Sequence, residues 1–300
     1  MNRTQTLLRT SRNIDGRSKR ATVSATPAHT VLIDNVPMTD TPKLRPKDLI
    51  LGLLFASEGG QLDVAALIRA GSVFDIQSNS IRVTLARLQS EGLIDSPDRG
   101  VYQMGIRARA LGDEASRWKM AEKRLRKWNG HYLLMVTGHL PRSDRQQIKA
   151  REKALTLGGF RQLREGLWIR PDNLEADIDR LKFRLHGLGL DPDAVLSTAD
   201  RISLNAQDEI ETLWNAAALN ALYKAQTQEL QTWLQTRETL PLEQAAKESW
   251  HLGAAAIRHI VYDPLLPNEW IEETNRHRFF KTVKTMNDAG QSVWAEFLRG

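Results

Sequence analysis

The chain has 300 residues, 41% of them hydrophobic and 26% charged, with no cysteine and a formal net charge of +6. This is the balance of an ordinary globular protein with room for two or three domains. It excludes disulfides, thiol nucleophiles and cysteine-ligated zinc, and no run approaches the roughly 18 apolar residues of a membrane helix or the apolar core of a secretory signal, so a cytoplasmic protein is expected.

The charge is uneven along the chain. Residues 1–127 hold 21 Lys and Arg against 13 Asp and Glu, whereas the remainder holds 21 against 23. A local basic excess gains affinity for polyanions by releasing condensed counterions, which makes the front of the chain the candidate nucleic-acid module. Within it, residues 1–43 are rich in Thr, Ser, Asn and Arg, with one short apolar patch at Val31–Ile33. They are expected to form a disordered basic arm.

From Pro46 to Ser57, Leu49, Ile50, Leu53 and Leu54 make a helical stripe, and Gly59-Gly60 ends it. Leu62 to Ala70 repeats the pattern until Gly71-Ser72, and a third helix follows over Gln77–Leu93. In that helix Ile81, Leu85 and Leu88 fall on one face, and Ser78 or Ser80 is placed to cap the first turn. The opposite face collects Asn79, Arg82, Val83, Ala86, Arg87 and Ser90, small, polar and basic. Two brief strands, Leu93–Asp95 and Val101–Met104, flank the turn formers Ser96 to Gly100.

Three helices and a hairpin predict a winged helix-turn-helix over 44–105. In that arrangement the third helix enters the major groove and the hairpin tip touches the backbone beside it. Asn79 and Arg82 have the donors to read adenine and guanine edges, and Arg87 and Arg99 suit phosphates. The DNA-contact set is therefore Ser78, Asn79, Ser80, Arg82, Val83, Arg87 and Arg99.

Residues 106–129 read as a basic linker helix, most simply a solvated one. Over 130–202 the period changes: a strand at His131–Thr137, a helix at Ser143–Leu157, strands at Phe160–Leu163 and Leu167–Arg170, a helix at Asn173–Leu185 and a last strand at Ala194–Ser197. The sum is β-α-β-β-α-β, a ferredoxin-like (split βαβ) unit. Residues 203–300 are expected to be all helical, with helices at Ile210–Thr236, Leu242–Tyr262 and Asn275–Leu298 broken by Pro241 and by Asp263-Pro264-Leu265-Leu266-Pro267. The predicted fold class is thus α+β and mostly helical.

Several strings, in order, resemble the PaaX-type repressors of phenylacetic acid catabolism. They are Gly59-Gly60, Arg82 through Leu88 with Glu91-Gly92-Leu93, Gly166-Leu167-Trp168-Ile169 followed by Pro171, and the Asp263–Pro267 string, and the likeness spans roughly residues 45–298. The resemblance implies a dimeric winged-helix repressor on a palindromic operator, released by an aryl-coenzyme A thioester such as phenylacetyl-CoA. Two departures are visible: a wing with only Arg99 and Tyr102 of the family's basic and aromatic residues, and the long N-terminal arm. The middle unit also looks like the small nucleases of CRISPR adaptation, but Thr137-Gly138 stand where their metal-binding Asp would follow the first strand, which points to a spacer or dimerisation role.

No enzyme motif is present: there is no HExxH, no GxxxxGK[ST], no GxSxG, and the seven histidines are scattered. No resident cofactor is expected. The candidate effector residues are His251, Arg258 and His259. His251 and Arg258 lie seven apart on one helix face and could pair with coenzyme A phosphates or a carboxylate, while an Arg258–Asp263 ion pair is the plainer use. The leading expectation is a DNA-binding regulator. A nuclease-like nucleic-acid-processing protein and a non-catalytic interaction scaffold are the alternatives, separated by a nuclease assay and a salt titration.

Overall fold

The computed structural model describes residues 44–106, 117–202 and 207–300. Within them the chain is α+β, largely helical, with two small antiparallel sheets and a helical C-terminus. The expected N-terminal arm lies outside the described residues, as do residues 107–116 of the expected linker helix.

The front module begins with α1 (Pro46–Ala56), which Pro46 opens in its first turn. Next comes a short strand, β1 (Gln61–Asp63), where a helix start was expected at Leu62. The helix α2 (Val64–Ser72) starts two residues later because Asp63 caps it, accepting from the backbone N–H of Ala66 at 2.7 Å. Then follow α3 (Ser78–Ser90), β2 (Ile94–Asp95) and β3 (Val101–Met104). The strand order is β1-β3-β2, so the hairpin is extended by the short strand ahead of α2. The α3 N-cap is Gln77, without a side-chain cap; Ser78 and Ser80 lie inside the first turn and do not cap it.

The core of this module is Leu49, Ile50, Leu53, Leu54, Leu67, Ile81, Leu85, Leu88 and Ile94, and it is closed by two residues from far along the chain, Ala246 and Trp294. An aromatic group seals the junction. Phe74, in the turn before α3, stacks on Trp294 (6.1 Å, 17°) and meets Trp250 and His251 edge-on at 6.0 and 5.4 Å. The front module and the C-terminal helices therefore share one core.

Residues 117–129 are not the linker helix expected there. Two 3-10 turns, Arg117–Met120 and Glu122–Arg124, lead into extended chain in which Leu125 bridges Leu174. Trp118 and Ala121 are buried, and their burial against the middle sheet outweighs the helical preference of the basic residues.

The middle region runs β4 (Tyr132–Val136), α4 (Arg145–Leu157), β5 (Arg161–Arg164), β6 (Leu167–Pro171), α5 (Ile178–Gly187) and β7 (Val195–Ala199). Its sheet is antiparallel in the order β5-β6-β4-β7. Asp144 and Asp177 cap the two helices, and Asp177 sets the start of α5 five residues later than expected. Alternation along β4 serves both faces: Leu133 and Met135 pack with α4 and α5, and Tyr132 joins the C-terminal core on the other side.

The C-terminal helices are α6 (Gln207–Thr212), α7 (Ala216–Thr236), α8 (Leu242–Val261) and α9 (Glu273–Arg299). One helix was expected over 210–236. The chain breaks it where Trp214 is buried and Asn215 accepts from the Ala218 N–H.

Between α8 and α9 the Asp263–Pro267 string is buried throughout and held by polar groups from three directions. The Tyr223 hydroxyl donates to Asp263 at 2.6 Å, Asn173 donates to the Leu265 carbonyl at 2.8 Å, and Arg276 donates to the Leu266 carbonyl at 2.7 Å. Arg170, 2% exposed, donates to the carbonyls of Gly158 and Pro171 and to Asn173. Leu265 has φ +51, a left-handed conformation that this bonding holds in place. Glycine is required at 159, where φ is +79 and a Cβ would fall 2.8 Å from the Pro264 carbonyl oxygen.

Candidate nucleic-acid interface

The geometry of α3 follows from its apolar spacing. Ile81, Leu85 and Leu88 are at most 1% exposed, and burying three such side chains contributes roughly 5–9 kcal/mol toward fixing the helix in the module. That anchoring leaves Ser78, Asn79, Ser80, Arg82, Val83, Ala86 and Arg87 exposed together on the outer face. Val83 is 61% exposed, an apolar side chain set among polar ones with no core to join.

Internal bonding on this face is slight. The Thr84 hydroxyl donates to the Ser80 carbonyl at 2.7 Å, a bond within the helix. Arg87 pairs with Glu91 at 3.2 Å, and Glu91 also meets Lys47 at 3.2 Å. These cations hold the Glu91 carboxyl below its usual range, Lys47 contributing most through its hydrogen bond. An exposed pair of this kind is screened by solvent and contributes little, so a phosphate can compete for Arg87. Arg99 is exposed in the Ser96–Gly100 turn, which is tied by Ser96 Oγ and Val101 N–H, both donating to the Asp98 carbonyl. The seven expected DNA-contact residues are thus all on the surface, six on the outer face of one helix and one at the hairpin tip.

The expected effector residues all lie on α8, each in its own surroundings. His251 is half-buried against Phe74, and burial, followed by the charge of Lys247, lowers its pKa. Arg258 is exposed and lies 5.8 Å over the Tyr262 ring. His259 is half-buried, its pKa lowered by burial and then by Arg258. The Arg258–Asp263 pairing is replaced by the bond from Tyr223, and Asp263 is drawn away from solvent and its pKa raised by burial. Sequence reasoning missed the residues that do converge, Arg117, Arg124, Arg170 and Arg184, which line one cavity. They come from four separate segments, and no local string joins them.

Among the described residues no group of three or more His, Cys, Asp or Glu side chains comes together to hold a metal ion, and no helix is long and apolar enough to cross a membrane.

A short three-helix module with a small sheet, presenting an exposed polar face and sharing its core with a helical C-terminal region, defines an α+β protein. Residues 214–296 match the family described as PaaX-like protein C-terminal domain. Among solved structures it is similar to the uncharacterized protein Rv0674 from Mycobacterium tuberculosis, at 21% identity and a TM-score of 0.54, over 82% of this chain and 98% of that one; the likeness is one of fold. No curated protein sequence matches.

Proposed function

We propose that the protein is a DNA-binding transcriptional regulator whose residues 44–105 act as a winged helix-turn-helix. In this reading α3 enters the major groove, with Asn79 and Arg82 at base edges, Ser78, Ser80 and Val83 against the groove wall, and Arg87 and Arg99 on phosphates. The observation that carries it is the outer face of α3, where these side chains stand exposed while Ile81, Leu85 and Leu88 spend the inner face on the core. Residues 130–202, with their β-α-β-β-α-β order, serve as a ferredoxin-like spacer or dimerisation unit, and residues 203–300 as the regulatory domain. The PaaX-like C-terminal domain supports a repressor that acts as a homodimer on a palindromic operator and is released by an aryl-coenzyme A thioester. Such an effector shifts occupancy only by its differential affinity for the bound and released forms.

The test is a mobility shift on the region upstream of the protein's own gene, with and without phenylacetyl-CoA. Retardation at low salt that phenylacetyl-CoA relieves is the expected result. No retardation at low salt sinks the DNA-binding reading; retardation indifferent to the thioester removes the effector alone.

A further inference from the structure

The middle sheet ends in two edge strands, and only one of them is guarded. An open edge offers a row of unpaired N–H and C=O groups to any other strand, and sheets that avoid such pairing blunt the edge with charge, proline or a bulge. The β5 edge has two of these devices: Arg161 and Arg164 stand in a four-residue strand, and its register against β6 shifts between Gln162 and Arg164. The β7 edge has none. Its five residues, Val195 to Ala199, carry no charge and no proline, and they pair with β4 in unbroken register. Among the described residues no backbone–backbone hydrogen bond joins its outer side. Val195 is 50% exposed and lies opposite Val136, 36% exposed, so an apolar pair stands bare at this edge.

The strand is also complementary to itself. An antiparallel pair of copies with its two-fold axis at Ser197 sets Val195 against the partner's Ala199, and Arg201 against the partner's Asp193. Arg201 and Asp193 are both exposed, just beyond the two ends of the strand, and Asp193 is bonded only through its carbonyl, which accepts from His139. Moving the axis by one residue puts Arg201 against Val195 or against Asp191, and Asp191 is already held by Arg151 at 2.7 Å. We propose that β7 is the seam between two copies of this chain, each laying its edge antiparallel on the other so that two four-stranded sheets become one of eight strands. Main-chain hydrogen bonds supply the binding, and an Asp193–Arg201 pair at each end fixes the register. The inference deepens the homodimer reading above and rests on it.

Sedimentation velocity on the full chain without DNA, over a concentration series, tests the seam. A concentration-dependent dimer is expected. Asp193→Arg and Arg201→Asp each bring like charges together across the seam and should raise the dimer Kd at least about tenfold, and the double variant should restore it. Val195→Lys, which places a charge on the bare edge, should weaken the dimer as well. All three positions are exposed in the single chain, so folding should survive, and circular dichroism checks that. A dimer that every variant leaves untouched means that the copies meet elsewhere, which overturns the seam and leaves the homodimer reading standing. Loss in the single variants without rescue in the double one overturns the Asp193–Arg201 register. A chain that stays monomeric at every concentration overturns the seam and the homodimer reading together, and the mobility shift judges DNA binding separately.

Discussion

Asn79 and Arg82 stand three residues apart on α3, and Arg170 and Asn173 stand three apart at the end of β6, yet the two pairs have opposite fates. The first pair is exposed on the outer face of its helix. The second is almost wholly buried, its donors given to the carbonyls of Gly158, Pro171 and Leu265. The same residue types therefore say nothing of role until burial decides whether their donors are consumed inside the fold or remain for a partner.

The largest expected effect comes from the buried pair. Arg170→Met leaves the Gly158 and Pro171 carbonyls and the Asn173 amide oxygen without their donor, and should cost about 3–5 kcal/mol in urea unfolding. A loss under about 1 kcal/mol would show that water replaces the guanidinium and that the Asp263–Pro267 string does not depend on it. Next is Trp294→Ala, at about 3–5 kcal/mol less the part that neighbouring rings recover by relaxing. Because Trp294 packs in the front module's core and stacks on Phe74, limited proteolysis of the variant should open residues 44–105 along with α9. A front module that stays protected would mean that it folds without the C-terminal helices.

On the exposed side the effect moves from stability to recognition. Arg82→Ala should change stability by no more than about 0.5 kcal/mol, yet cost about 1–3 kcal/mol of operator binding and leave random DNA little affected. Arg87→Ala should weaken both DNAs alike and lower the salt slope by about one. Equal losses on operator and random DNA for Arg82→Ala would return Arg82 to the solvated surface and collapse the contrast between the two pairs.

These contrasts also mark where the sequence is readable. The helix carrying Asn79 and Arg82 was legible because Ile81, Leu85 and Leu88 recur at helical spacing within one short stretch, and the middle region was legible because its strands and helices alternate locally. The strand Gln61–Asp63 was not, being only three residues long and meaningful only through its register with Val101–Gln103. Residues 117–129 misled because their basic residues mask the burial of Trp118 and Ala121 against a sheet that lies later in the chain. The shared core of Phe74, Trp250 and Trp294 joins positions up to 220 residues apart, and the cavity of four arginines draws on segments spread over residues 117–184, which no periodicity can reveal. For the candidate effector residues, helical spacing places His251 and Arg258 on one face but leaves open what each meets, and His251 meets Phe74.

That contact yields the smallest effect, a pH dependence. Burial against Phe74, assisted by Lys247, keeps the His251 ring neutral in the folded chain below the ordinary value of about 6.5. The unfolded chain therefore takes up this proton first as the solution is acidified. The stability tied to His251 is present above about pH 6.5 and is lost as the pH falls through the lower folded value. His251→Phe keeps a ring against Phe74 and removes the titration. Relative to this variant, the wild-type urea midpoint should drop between about pH 7 and pH 5, and curves that stay parallel would show the ring to be solvated. A drop places a proton-sensitive contact beside the turn that leads into α3, so that the step by which the C-terminal helices hold the front module would weaken with acid before the apolar core does.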